Sequence, residues 1–186
     1  MNAGIISSRY ANALLRYVDE TGAGEKVCEQ VKVIEHALHT LPSLRRLIED
    51  PAAVTDEEKI SLFRAALGGE PVAEELEKFL ALLDKNGRLP MSIFIFNTFI
   101  RRYYRSRRLL RAYLITAVPA PAEIEDRLRK VIREKTGFEI LLDTRVEPSL
   151  IGGFVLKVDD YMLDASVSHQ IETIRRQFME KNRRIV

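Results

Sequence analysis

The spacing of apolar residues changes after Arg108, and no single regular element satisfies both spacings. Up to that point apolar side chains return every three or four positions, as on one face of a helix. Beyond it, Leu110 to Val118 reads as a strand, and Phe154, Leu156 and Val158 alternate strictly. The chain is therefore expected to be α+β, a six-helix bundle over residues 1–106 followed by a small mixed β/α domain over 107–186. At 186 residues there is room for two such cores.

The helical part is well punctuated. Ile6, Tyr10, Ala13, Leu14, Tyr17 and Val18 line one helical face, and Thr21-Gly22-Ala23-Gly24 stops it. Val27, Val31, Ile34, Leu38 and Leu41 form a second stripe, and a short third segment runs from Pro42 through Leu44, Leu47 and Ile48 to Asp50-Pro51. Thr55 and Glu58 have the spacing of a capping box, with acid in the first turn to suit the helix dipole. A fifth helix starts near Pro71, buries Val72, Leu76, Phe79, Leu80 and Leu83, and ends at Asn86-Gly87. The sixth begins at Pro90 and is apolar or aromatic almost all round from Ile93 to Tyr104, as befits a helix in the middle of a bundle.

In the second part the strand ending at Val118 is broken by Pro119-Ala120-Pro121. Ile124, Leu128, Val131 and Ile132 mark a helix ending at Thr136-Gly137, and Val167, Ile171, Ile174 and Phe178 mark a last one. Three strands lie between them, giving the order β-α-β-β-β-α, with a turn at Asp159-Asp160 between the last two strands. The pair Gly152-Gly153 resembles a phosphate-cradling loop, but such a loop needs Lys-Ser or Lys-Thr at the head of a following helix. Here a strand follows, so nucleotide binding is not expected.

Other chemistry is equally sparse. Cys28 is the only cysteine, which excludes an internal disulfide, and its place among Val27, Val31 and Ile34 suggests a helix face. His36 and His39 lack a matching ligand pair, and His169 has no nucleophile in a recognisable motif. The carboxylate pairs Glu57-Glu58 and Glu74-Glu75 fall in first turns, where the dipole explains them. No catalytic residue, cofactor or metal ligand is predicted. No apolar run approaches the roughly 20 residues that span a bilayer, and Met1-Asn2-Ala3-Gly4 has no basic leader character, so a cytoplasmic location is expected.

Charge is uneven. Residues 1–90 carry 11 basic and 15 acidic side chains, and residues 91–186 carry 18 and 12. Arg101, Arg102, Arg105, Arg107, Arg108 and Arg111 make a run with no acid and with Tyr103 and Tyr104 interleaved. That run motivates an alternative reading as a nucleic-acid-binding adaptor.

Three ordered blocks bear a resemblance to a known family: Arg9-Tyr10-Ala11-Asn12-Ala13-Leu14, Asn86-Gly87-Arg88-Leu89, and Val146-Glu147-Pro148-Ser149-Leu150-Ile151-Gly152-Gly153 through Asp164-Ala165-Ser166-Val167. The chain resembles the delta subunit of the bacterial F-type ATP synthase, counterpart of the mitochondrial oligomycin-sensitivity-conferring protein. Glu147 stands where the family commonly has aspartate, and Asp159 and Ala165 where glycine is common.

The resemblance implies a non-catalytic stator, a peripheral protein on the cytoplasmic face of the bacterial inner membrane. It also implies two partners, the N-terminal helix of an alpha subunit and the C-terminal ends of the b-subunit stalk. The alpha helix is expected in a groove formed by Tyr10, Ala13, Leu14 and Tyr17 opposite Phe79, Leu82 and Leu83. Asn86, Gly87, Arg88, Gly152, Gly153, Asp164 and Ser166 are expected to be structural residues of the family's motifs.

Overall fold

The computed structural model describes residues 3–50, 55–159 and 161–183. Met1, Asn2, Pro51 and Asp160, and the side chains of Leu47 and Phe178, lie outside the described residues. The chain combines helices with one four-stranded sheet and divides into two compact units, Met1–Tyr103 and Tyr104–Val186. The division falls inside a helix, at 103/104, a little before the expected boundary at 106/107.

In the first unit the helices are α1 (Ala3–Thr21), α2 (Gly24–Thr40), α3 (Pro42–Glu49), α4 (Asp56–Ala66), α5 (Glu74–Lys85) and α6 (Ser92–Ser106). A single 3-10 turn, Leu89–Met91, leads into α6. The predicted capping box forms: Thr55 Oγ1 accepts from the Glu58 N–H, and Glu58 Oε2 accepts from the Thr55 N–H at 2.8 Å. The Thr55 N–H first, and then the Thr55 hydroxyl, which also donates to Glu58 Oε2 at 2.9 Å, hold the Glu58 carboxyl below its ordinary value.

Asn86-Gly87-Arg88 closes α5 by supplying the paired bonds of a Schellman motif. The Gly87 N–H reaches Asp84 O at 2.8 Å and the Arg88 N–H reaches Leu83 O at 2.7 Å. This needs φ +62° at residue 87, a conformation glycine adopts without strain. Lys59 Nζ on α4 bonds Asp84 Oδ2 on α5 at 2.7 Å, tying the two helices together.

Leu14, Val18, Val27, Val31, Ile34, Phe63, Leu76 and Leu83 fill the core of this unit. Cys28 is buried with them. The expectation for α6 needs correction: Ile95, Phe96, Phe99, Ile100 and Tyr103 are buried, but Phe94 is 61% exposed. A helix has an outer face unless neighbours surround it, and residue 94 points to that face.

The second unit runs β1 (Leu109–Thr116), α7 (Ala122–Thr136), β2 (Glu139–Val146), β3 (Phe154–Val158), β4 (Tyr161–Asp164) and α8 (Val167–Arg183). Strand order is β2-β1-β3-β4; β1 pairs parallel with β2 and antiparallel with β3. The register puts Leu110, Ala112, Leu114, Ile140, Leu156 and Leu163 on one face. That face is buried at β1 and at Ile140, and exposed at β4, where Tyr161 is 83% accessible.

The glycine pair is an interlock of two backbones. Val167 N–H donates to Gly152 O at 3.0 Å and Ala165 N–H to Phe154 O at 2.9 Å. A Cβ on Gly153 would stand 2.2 Å from Ala165 O, and φ there is +74°. A Cβ on Gly152 would meet a Val167 methyl at 3.1 Å, which a side chain can yield. Gly153→Ala is therefore expected to destabilise the protein by more than about 2 kcal/mol, and Gly152→Ala by under about 1 kcal/mol. Urea unfolding of the two variants checks the order; equal costs would reject the interlock.

Candidate functional site

The seven residues expected to form the groove separate into core and surface. Leu14 and Leu83 are fully buried and Phe79 is nearly so, which makes them core and leaves them no surface to offer a partner. Tyr10 and Tyr17 are half-buried, Ala13 is exposed, and Leu82 is 44% exposed. Tyr10 meets Phe79 edge to face with ring centroids 6.4 Å apart, so α1 and α5 lie side by side. At the other end of the surface Lys78 Nζ donates to Glu74 Oε1 at 2.6 Å. The bond to Glu74 and its charge lift the Lys78 ammonium above its ordinary value, and Tyr17 adds to the effect. Lys78 thus lies near enough to Tyr17 for the two to interact, a neighbour that apolar periodicity has no means of marking.

The arginine run is divided among local tasks. Arg102 bonds the side chains of Asn12 and Ser8 on α1. Arg111 reaches Asp143 Oδ2 at 3.4 Å and lies over the Tyr113 ring at 5.3 Å. Arg108 sits at a turn with φ +55°. His39 pairs with Glu35 at 2.8 Å across an i,i+4 spacing. Among the described residues no three His, Cys, Asp or Glu side chains gather into a metal-binding group. No described helix is long and apolar enough to cross a membrane.

The second unit leaves much apolar surface unpartnered. A cleft of about 520 Å³ opens between α7 and the sheet, lined by Leu114, Val118, Ile124, Leu128, Val131 and Phe154. On α8, Ile171 and Ile174 are half exposed, the latter 53%. The sequence names no partner-facing residue in this unit, since the α8 stripe has the same period as a core stripe.

The whole chain has relatives. The ATP synthase delta (OSCP) subunit profile matches residues 6–178. The chain belongs to that family. ATP synthase subunit delta of Phocaeicola vulgatus is 36% identical over 186 residues, covering 100% of both chains. The subunit delta of Bacteroides thetaiotaomicron is 32% identical over the same span, again with 100% of both covered. A chain in the cryo-EM structure of the Toxoplasma gondii mitochondrial ATP synthase hexamer shares the fold, with TM-score 0.67 at 23% identity over 93% of this chain and 97% of that one.

The remaining delta-family motif, Asp164-Ala165-Ser166-Val167, builds the start of α8. Asp164 Oδ1 accepts from Ser166 Oγ at 2.6 Å and from the Ser166 N–H at 2.9 Å. Ser166 Oγ in turn accepts from the His169 N–H at 3.2 Å, the bond of a helix N-cap. Asp159, where the family commonly has glycine, takes φ +50°, a region in which aspartate is among the tolerated residues.

The Ser166 hydroxyl first, then its N–H, holds the Asp164 carboxyl below the ordinary 3.8. Because the folded value is the lower, the carboxylate's contribution is full above 3.8 and is lost as pH falls through the depressed value. Asp164→Asn should flatten that limb of the stability profile. Thermal unfolding across the acid range measures it, and an unchanged acid limb would show that Asp164 has no such role.

Proposed function

We propose that this chain is the non-catalytic stator subunit that joins the alpha subunits of the ATP synthase head to the b-subunit peripheral stalk. The first unit, a bundle of six helices, takes the N-terminal helix of an alpha subunit between α1 and α5. The second holds the C-terminal end of the stalk. The protein then resists rotary torque from a peripheral place on the cytoplasmic face of the membrane, attached through the complex.

The observation that carries this reading is Leu82. It is exposed on α5, one turn on from Phe79, whose ring meets Tyr10 of α1, while Leu14, Phe79 and Leu83 are core. A partner helix laid there gains apolar area from both walls, and the small Ala13 lets its backbone approach. The uncovered surface of β4, α8 and the α7 cleft supports a second attachment in the other unit. Torque transmission needs slow dissociation and stiffness, neither of which calls for a nucleophile, metal or nucleotide.

Tyr10→Asp and Leu82→Asp are each expected to weaken binding of an alpha-subunit N-terminal peptide by at least about tenfold, with the helical circular dichroism retained. Calorimetric titration supplies the affinities. Unchanged affinity in both variants would reject the groove.

A further inference from the structure

Gln30 lies on α2, away from the α1 and α5 walls of the groove, yet its side chain reaches the segment that leads into α5. Nε2 donates to Pro71 O at 2.9 Å, and Oε1 accepts from the Ala73 N–H at 2.8 Å. The residue is 8% exposed. Its two partners belong to residues two apart, flanking the buried Val72, so the carboxamide stands in for one residue of a neighbouring parallel strand. The amide orientation is fixed by its partners, since a carbonyl needs the NH₂ and an N–H needs the oxygen.

Ala73 is the N-cap of α5, and an alanine has no oxygen with which to cap the free N–H groups of the first turn. The contrast with α4 is direct, because that helix is fixed by its own Thr55 and Glu58. For α5 the fixing comes from another helix. The first turn it sets in place carries Glu74, and one turn on is Lys78, the residue that lies near Tyr17.

We propose that Gln30 is the positioning residue of the α1–α5 surface: by pinning Pro71 and Ala73 it sets where α5 begins and how Lys78 is presented to Tyr17. The inference rests on the reading of that surface as the alpha-helix groove. It makes the groove a property of three helices, with α2 acting through the α5 start.

The test uses the full-length protein carrying Gln30→Met, which keeps the length and loses both bonds, and Gln30→Glu. Hydrogen exchange should show Ala73 and the first turn of α5 losing protection by at least about tenfold more than α4 or α6 in Gln30→Met. Affinity for an alpha-subunit N-terminal peptide should fall about fivefold in the same variant. That loss should vanish in a Tyr17→Ala background and persist in a Leu82→Ala background, because only Tyr17 lies at the pinned end. Gln30→Glu should regain affinity on acidification, since a protonated carboxyl again offers one donor and one acceptor.

Uniform loss of protection, or an equal affinity loss in both backgrounds, would reduce Gln30 to general core stability and overturn the inference. Unaltered peptide affinity in Gln30→Met would overturn it as well. A wild-type protein that fails to bind the peptide would instead sink the groove itself, and this inference with it.

Discussion

The seam between α1 and α5 is the contact on which the layout of the first unit's exposed flank depends. Leu14 and Leu83 meet the core with no surface left over, which brings the two helices close enough for Tyr10 to rest its ring edge on Phe79. Once those positions are buried, the helical period fixes what comes out on the flank. Leu82 lies about 100° round the helix from Leu83, so it stands on the flank that α1 leaves open. A leucine there lowers solubility without adding to the core, and a partner is the physical reason to keep apolar area in that place.

The second unit solves a different problem. A four-stranded sheet with α7 over part of one face has more apolar side chains than it can cover, and the uncovered part lies at β4. The backbone interlock of residues 152–154 with 165–167 leaves little freedom at the point where α8 departs. The N-cap built by Asp164 and Ser166 then starts α8 at a fixed residue. Rigid backbone next to exposed apolar side chains is the combination a docking surface wants, because little ordering cost remains to be met on binding.

Much of this was legible in the residues because local rules wrote it. The capping box at Thr55, the Asn86-Gly87 stop and the order β-α-β-β-β-α follow from short-range spacing and turn chemistry, and each is present. What spacing does not encode is how near the next element stands. Phe94 has the same pattern as Phe96, yet one is exposed and the other buried, since only the second faces neighbours. Leu14, Phe79 and Leu83 were expected in the groove and are core for the same reason. The Gln30 bridge spans 41 and 43 residues of sequence to its two partners, a separation at which a polar residue in a helix carries no pattern at all.

On the proposed reading the stator subunit holds at two ends, and modest surfaces then suffice. With one unit attached, the second attachment becomes intramolecular, and the pair gains roughly 10²–10⁴ over either alone if both partners are within reach. Neither surface then needs the area of a permanent dimer. What each needs is to keep its shape under load, and the features the structure spends most bonds on are of that kind. The Schellman closure of α5, the amide bridge at its start and the glycine interlock before α8 all lie next to exposed apolar residues. The arginine run fits the same logic at Arg102 and Arg111, whose bonds stiffen α6 against α1 and β1 against β2. Those two arginines are engaged within their own units, so the run is better described as bracing than as a phosphate-binding face.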